Sequence, residues 1–284
     1  RLARAAQSGG LGAVPTPRGL ARYPRNTDIT AQSRYAFGAA RRPARLARMG
    51  FAVLSCDLQS RAARKTAFWA PHLEGVEAII NAAGLLTGSD SAFEAVHSSA
   101  PNALYAAKPE GCKIILLSAV GIDTPRTRFA RFRREGEKLA EAHGALILRA
   151  GLVLGETSYG GSSLLRALAG LPWVGPHIGN GAQVFNPIHA DDLAMVMVDM
   201  LEAGAAGTYD IGGPERISQS AMIAAYRGWL GLGRRWRFGL PLLAARAMGW
   251  LGDLMRLGPI SRTAVDQLAA GVEAQSDDLI RGLP

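Results

Sequence analysis

Short apolar runs alternate with longer amphipathic segments from about residue 35 onward. Polar residues do not alternate with apolar ones along these runs, as they would in half-exposed strands. Continuous apolar runs are typical of strands that are buried on both faces of a parallel sheet. The segments between them carry apolar residues at helical spacing. The pattern predicts strands at residues 35–39, 52–55, 78–81, 114–118 and 146–148, and helices at residues 92–107 and 126–143. This order predicts an α/β fold with a doubly wound parallel sheet.

The pattern changes after residue 154, where a segment rich in glycine and proline begins. Further short elements are predicted at residues 184–188, 191–203, 208–211 and 218–230. We therefore interpret residues 35–154 as the main domain and residues 155–284 as a smaller lobe with amphipathic C-terminal helices. Residues 1–34 show neither the helical nor the strand period of apolar residues, and they contain three prolines. They are therefore predicted to be irregular.

Residues 240–257 form a predicted amphipathic helix. Its apolar face consists of Leu243, Ala247, Trp250 or Leu251, and Leu254, with Arg246, Asp253 and Arg256 opposite. Two interpretations follow from this pattern. The apolar face either packs on the domain or on a protein partner, or it lies on a membrane surface.

Composition excludes several classes of protein. Hydrophobic residues make up 48% of the 284 positions and charged residues 19%, which excludes a disordered chain. Residues 1–65 hold 13 basic and two acidic residues, whereas the remaining 219 hold 19 basic and 21 acidic ones. The N-terminal arginines are not interleaved with aromatic residues, so no nucleic-acid partner is predicted.

The cellular setting follows from the cysteines and from the longest apolar runs. Cys56 and Cys112 are too few for a disulfide framework and lack the spacing of a zinc site. Charges interrupt every apolar run before the length of a membrane span, and no secretory signal is predicted. We expect a cytoplasmic protein, with membrane association through the 240–257 helix as the alternative.

Several short segments carry the recognisable chemistry. They are Gly38-Ala-Ala-Arg-Arg-Pro43, Cys56-Asp57-Leu58, Asn81-Ala-Ala-Gly84, Leu117-Ser-Ala-Val-Gly121, Leu148-Arg-Ala-Gly-Leu-Val-Leu-Gly155 and Tyr209-Asp-Ile-Gly-Gly-Pro214. In this order and at these distances they resemble the atypical and extended short-chain dehydrogenase/reductase superfamily, in its NAD(P)-binding, epimerase/dehydratase-like branch. The resemblance covers about residues 35–235 and implies a Rossmann-type fold with NADP or NAD as cofactor.

The resemblance also implies where the cofactor binds. The implied cofactor-binding residues are Arg41, Arg42, Asp57, Asn81, Ala82, Gly84 and Arg133. Arg41 and Arg42 would bind the 2′-phosphate of NADP, because no acidic residue stands beside them to bond a free 2′-hydroxyl. The alternative is that both are solvated arginines in an arginine-rich segment.

The implied catalytic positions depart from the family pattern. Hydride-transferring members use a tyrosine followed four residues later by a lysine, because the phenol exchanges a proton with the substrate. Phe129 and Arg133 stand at these two positions, and Ser118 stands where the family orients a carbonyl. Phenylalanine has no proton to give, although Tyr159 is a candidate replacement phenol. We expect either an oxidoreductase-like protein acting on a carbonyl or nucleotide-linked small molecule, or a non-catalytic nucleotide-binding subunit.

Two further observations limit the prediction. A dinucleotide-binding turn needs glycines after the first strand, and the chain offers only Gly9-Gly10-Leu-Gly12 with no apolar strand before it. A damaged or fragmentary N-terminal sequence and a real loss of cofactor binding both explain this. No metal site is predicted, since His189, Asp191 and Asp192 lack a further ligand. The other four histidines are interpreted as exposed.

Overall fold

The computed structural model describes residues 11–14, 36–123, 127–155, 161–232, 236, 238–255 and 260–275. The chain divides into two compact units. The first comprises Arg1–Ser118, Ala130–Leu148 and Ala194–Thr208, and the second Ala119–Phe129, Arg149–Leu193 and Tyr209–Pro284. The sequence places one boundary after residue 154, whereas the chain passes between these two units more than once. Tyr159 lies outside the described residues.

Thirteen strands occur in the described part of the chain. In chain order they are β1 Leu11–Val14, β2 Phe37–Ala40, β3 Ala52–Ser55, β4 Ala78–Asn81, β5 Lys113–Ala119, β6 Leu146–Ala150, β7 Val153–Leu154, β8 His177–Ile178, β9 Val184–Phe185, β10 Ile188–His189, β11 Thr208–Ile211, β12 Ile217–Ser218 and β13 Gly239–Leu240. Seven form one sheet in the order β11-β6-β5-β4-β1-β2-β3. From β3 to β6 this is the order of a doubly wound nucleotide-binding sheet, which confirms the predicted fold class.

The central strand β1 runs in an unexpected direction. It is antiparallel to both of its neighbours, with Leu11 opposite Asn81 and Val14 opposite Ala78. The prediction of an irregular segment at residues 1–34 is therefore wrong for these four residues, and the sheet is mixed rather than wholly parallel. A strand with a single β-branched residue gives a weak local signal. It is stabilised by backbone pairing on both of its edges.

Ten α-helices occur in the described residues. They are α1 Ala44–Arg48, α2 Thr66–Trp69, α3 Asp90–Glu94, α4 Ala100–Ala106, α5 Arg128–Ala142, α6 Gly161–Ala169, α7 Ala190–Glu202, α8 Gln219–Trp229, α9 Leu242–Leu254 and α10 Arg262–Ala270. A 3₁₀ turn, Ala70–His72, follows α2, and a π-helical segment, Ala95–Ser99, joins α3 to α4. The predicted helix at residues 92–107 is thus divided by one wide turn.

Each unit has its own apolar core. The first core includes Trp69, Leu73, Ile79 and Tyr105, all fully buried. The second core is formed around the helices α6, α8 and α10, two of which the sequence pattern did not reveal. The helix α6 lies within the segment rich in glycine and proline, where those residues obscure the helical period.

The helix α9 packs in the second unit through small residues. Ala245, Gly249 and Gly252 are buried, and α9 contacts α10. In contrast, Leu243 is 81% exposed and Leu254 is 66% exposed. The helix therefore packs on the domain through its small residues, whereas the predicted apolar face is exposed in the described residues. Among these residues, no helix is both long enough and apolar enough to cross a bilayer.

Candidate functional site

The first unit brings the implied binding residues to one edge of the sheet. β2 is parallel to β3, with Ala40 opposite Ser55, and β4 is parallel to β5, with Asn81 opposite Leu116. Since β2 and β4 are both antiparallel to β1, all four strands end at the same edge. The residues at this edge are Arg41 and Arg42 after β2, Asp57 after β3, Ala82 and Gly84 after β4, and Ser118 near the end of β5.

Asn81 shapes the turn at residues 81–84. Its Oδ1 atom accepts a hydrogen bond from the Ala83 amide at 3.1 Å, and its Nδ2 atom donates to the Tyr105 hydroxyl at 2.6 Å. Burial raises the pKa of Tyr105, so the phenol stays protonated. Because both polar groups of the Asn81 side chain have partners within the protein, this side chain fixes the backbone of the turn. Its implied contact with a cofactor stays a prediction.

Arg133 lies against the same turn. Its Nη1 atom donates to the Ala83 carbonyl oxygen at 3.1 Å. A Cβ atom on Gly84 would lie 3.0 Å from Arg133 Nη2, so glycine permits this close approach. Burial lowers the pKa of Arg133 to about 10, while the nearby Glu137 opposes that shift. The guanidinium is therefore charged at neutral pH, and α5 places it beside the turn, as the resemblance implies.

His97 belongs to the same buried region, although the sequence pattern indicated an exposed residue. It is 4% exposed and lies in the π-helical segment. Its Nε2 atom accepts a hydrogen bond from the Leu85 amide at 3.3 Å, and its ring stacks on Phe93. Burial, and secondly the charge of Arg133, lower the pKa of His97 to about 3. The imidazole is therefore neutral at physiological pH.

The helix α5 approaches the π-helical segment closely. A Cβ atom on Gly136 would lie 2.6 Å from the His97 carbonyl oxygen. π-helical turns are frequent at functional sites, because the extra residue redirects side chains. Helical periodicity does not reveal such a turn, so the sequence pattern does not predict the burial of His97. A small cleft in this region is lined by Asn81, Ala83, Val96, His97, Leu116, Arg133 and Gly136.

Ser118 carries a buried hydroxyl near the end of β5. The residue is 4% exposed, and its hydroxyl has no hydrogen-bond partner among the described residues. Ser118 follows Leu116 by two positions on β5, so both side chains project from the same face of the strand. Since buried hydroxyls normally have partners, this one indicates a site for an absent ligand or water.

Phe129 lies on α5, one helical turn before Arg133, and is buried. The aromatic ring fills this position without supplying a proton. Arg41, Arg42 and Asp57 are exposed. One carboxylate oxygen of Asp57 accepts a hydrogen bond from the Gln59 amide at 3.0 Å, which stabilises the turn after β3.

Three features of this edge are compatible with a bound dinucleotide. They are the unpartnered Ser118 hydroxyl, the close approach at Gly84 and the exposed guanidinium pair of Arg41 and Arg42. The direction of β1 does not fit a pyrophosphate-binding turn at this edge. Because β1 is reversed, Val14 ends at the opposite edge, so a glycine turn after β1 would not face these residues.

A metal is not needed to explain the polar groups at this edge. His189, considered above as a ligand, lies in the second unit, and its Nδ1 atom accepts a hydrogen bond from the Asp191 amide at 3.2 Å. Within the described ranges, no group of three histidine, cysteine or acidic side chains is arranged to hold a metal ion.

Several solved structures are similar to this chain. UDP-glucuronic acid 4-epimerase from Bacillus cereus, solved with NAD, has a TM-score of 0.62 at 15% identity, covering 72% of this chain and 78% of that one. The dTDP-glucose 4,6-dehydratase of Streptomyces venezuelae, also solved with NAD, has a TM-score of 0.62 at 17% identity, covering 85% and 77%. ADP-L-glycero-D-manno-heptose-6-epimerase from Helicobacter pylori has a TM-score of 0.57 at 13% identity, covering 70% and 71%.

These likenesses establish the class of fold. The chain has a Rossmann-type α/β fold like that of these epimerases and this dehydratase, which confirms the fold that the resemblance implies. No protein-family model matches the sequence, and no curated protein does either.

Proposed function

We propose that this chain binds a dinucleotide of the NAD(P) type along the carboxyl edge of β2 to β5 and is an oxidoreductase-like protein. The observation that carries the proposal is the gathering of an arginine pair, the 81–84 turn, the unpartnered Ser118 hydroxyl and Arg133 in one unit. Edges of this kind bind nucleotides in doubly wound sheets. The similar structures solved with NAD support the same ligand class.

We propose NADP as the preferred cofactor. Arg41 and Arg42 are both exposed where β2 ends, and neither has an acidic neighbour in the 38–43 segment. A guanidinium contacts a phosphate in a bidentate manner, whereas it gains less from a neutral hydroxyl. NADPH should therefore bind at least about tenfold more tightly than NADH, and the preference should weaken as salt is added.

The proposed chemistry is transfer of hydride between NAD(P) and a carbonyl. Ser118 would orient the carbonyl oxygen, and Arg133 would hold the 81–84 turn in place. The proton donor is the missing part, since Phe129 cannot supply one. General acid catalysis contributes about 10²- to 10⁴-fold, so we expect weak reduction of ketones, aldehydes and nucleotide-linked sugars.

The experiment is to follow NADPH oxidation in the presence of a panel of such carbonyl compounds. Phe129→Tyr should raise the rate above that of the parent, and more so in combination with Arg133→Lys, which restores the family's pair of residues. The matched control is Phe132→Tyr, which adds a hydroxyl to another buried ring of α5 and should not raise the rate. Robust turnover by the parent would show that another donor acts.

A second candidate is a non-catalytic nucleotide-binding regulatory or assembly subunit. Two observations favour it: Arg133 already bonds to the Ala83 carbonyl, and β1 is reversed at the expected pyrophosphate site. Turnover separates the two candidates. The non-catalytic function is the correct one if NADPH binds but three proteins are inactive: the parent, Phe129→Tyr, and Phe129→Tyr combined with Arg133→Lys.

The substrate class and the compartment are also proposals. The similar structures are named for UDP-, dTDP- and ADP-linked sugars, which supports a nucleotide-linked carbonyl compound as substrate.

Cys56 and Cys112 are both buried free thiols. Burial raises the pKa of Cys56 to about 11, so this thiol resists oxidation. The free state of both thiols and the raised pKa of Cys56 support a protein of the reducing cytoplasm.

A further inference from the structure

The strand β3, in the first unit, forms an open edge of the seven-stranded sheet. It is the last strand in the sheet order, and among the described residues it pairs only with β2. The strand is largely exposed, and Val53 at its centre is 40% exposed. Natural edge strands often carry a charged residue or a proline that prevents pairing with other chains. Ala52–Ser55 contains neither, so β3 lacks both of these protections against a further strand.

The backbone groups of Val53 and Ser55 point away from β2. The Cys56 amide donates to the Ala40 carbonyl oxygen at 3.0 Å, so the backbone of Cys56 faces β2. Alternate residues of a strand direct their backbone groups to the same side, so Leu54 also faces β2, whereas Val53 and Ser55 face outward. No hydrogen bond of these outward groups occurs among the described residues. They are two donors and two acceptors at the spacing of a strand ladder.

Positive charge flanks β3 on both sides along the chain. Residues 44–65 contain five basic residues and one acidic residue. The basic residues are Arg45, which is partly buried, and Arg48, Arg61, Arg64 and Lys65, which are exposed. None of the five forms an ion pair within the described ranges. The positive charge at both ends of β3 is therefore uncompensated by described carboxylates at ion-pair distance.

We propose that β3 binds an extended acidic peptide of a partner protein, which adds a strand to this edge of the sheet. The outward backbone groups of Val53 and Ser55 bond to the peptide backbone, and carboxylates at the two ends of the peptide contact the flanking cations. A four-residue strand spans about 13 Å, which matches roughly four central residues between the acidic ends. Arg41 and Arg42 are not part of this surface, so the inference does not rest on the proposed cofactor.

Other partners fit this edge less well. A second copy of the chain brings five more cations against those that flank β3, and like charges repel. A nucleic acid has the complementary charge, but its single strands bind by stacking bases on exposed aromatic side chains. Phe51 is the only aromatic residue of the 44–65 segment, and it is partly buried. The unpaired backbone edge together with the charge therefore favours an acidic peptide.

The test is fluorescence anisotropy of a labelled ten-residue peptide titrated with the full chain. The probe has four central residues, alternately valine and threonine, and three aspartates at each end. We expect saturable binding that weakens between about 50 and about 500 mM salt. Replacing the aspartates by lysines should weaken binding at least about tenfold. N-methylation of the four central amides should do the same, because it keeps the charge and removes the strand hydrogen bonds.

The peptide comparison decides the proposal on the parent protein alone. Absence of binding, or equal affinities of the acidic peptide and its N-methylated form, would overturn it. A ten-nucleotide single-stranded RNA that binds as tightly as the acidic peptide assigns the surface to nucleic acid and contradicts the proposal. A dimer of the parent that Val53→Pro abolishes assigns the edge to a second copy and also contradicts it.

Variants localise the binding to β3. Val53→Pro removes one outward amide and should weaken peptide binding at least about threefold, since proline is tolerated on an edge strand where its missing N–H faces solvent. Val53→Thr retains the amide and should bind as the parent does. The double variant Arg48→Ser, Arg61→Ser should also weaken binding at least about threefold. Its matched control is Arg131→Ser, Lys138→Ser, which removes the same charge from exposed positions of α5. Equal losses in the two double variants contradict the proposal.

Discussion

Lowering the pH from 7 to 5 is expected to destabilise the first unit through one buried histidine. His97 is 4% exposed, and burial lowers its pKa in the folded state from the ordinary 6.5 to about 3. Between these two pKa values the unfolded chain binds a proton that the folded chain does not. Stability is therefore lost as the pH falls below about 6.5, and this loss stops only near pH 3.

The magnitude follows from the two pKa values. At pH 5 the folded imidazole is still neutral, whereas almost all unfolded chains carry the proton. The loss between pH 7 and pH 5 is therefore set by the unfolded state and amounts to about 2 kcal/mol. This figure changes little for any folded pKa below about 4, because protonation of the folded state contributes almost nothing at pH 5.

The assay is urea unfolding of the parent and of His97→Gln at pH 7 and at pH 5. Glutamine keeps an acceptor for the Leu85 amide but does not titrate. The parent should lose about 2 kcal/mol more than the variant over this interval. His189→Gln is the matched control, because it makes the same substitution at a side chain that is 50% exposed. Equal losses in the parent and in His97→Gln would refute the reasoning.

Three further predictions concern packing, two of them at the site and one in α8. Gly136→Ala should destabilise the chain by about 1–3 kcal/mol, because the new Cβ would lie 2.6 Å from a backbone oxygen. In contrast, Gly228→Ala in α8 should stabilise it by about 0.5–1 kcal/mol, and urea unfolding checks both. Tyr105→Phe should cost about 1–3 kcal/mol, because it leaves the Asn81 amide group buried without its partner. A neutral result in the same assay would show that a water replaces the hydroxyl.

The sequence was sufficient to predict the sheet and most of its strands. The strands Ala52–Ser55, Ala78–Asn81 and Thr208–Ile211 have the predicted bounds. Ala78–Asn81 is buried throughout, as its apolar run predicts, whereas Ala52–Ser55 is largely exposed. The direction of β1 was not predictable. Strand direction depends on which neighbours supply backbone partners, and the four residues of β1 carry no information about it.

Part of the candidate site was also predictable. The motif order names both the 81–84 turn and Arg133 as cofactor-binding, and the structure places the two in contact, although their binding of a cofactor stays a prediction. The burial of His97 and the bond from Asn81 to Tyr105 depend on packing between distant segments, so neither has a local signal. The apolar face of α9 was visible as a period, but periodicity cannot show whether that face is covered.

Calorimetric titration of the full chain with NADPH and NADH tests the central claim most directly. The account predicts binding of NADPH, with at least about tenfold lower affinity for NADH. The double variant Arg41→Ser, Arg42→Ser should remove that preference, whereas Arg48→Ser, which changes an exposed arginine of α1, should retain it. Absence of binding by both nucleotides would contradict the assignment of the carboxyl edge as a dinucleotide site.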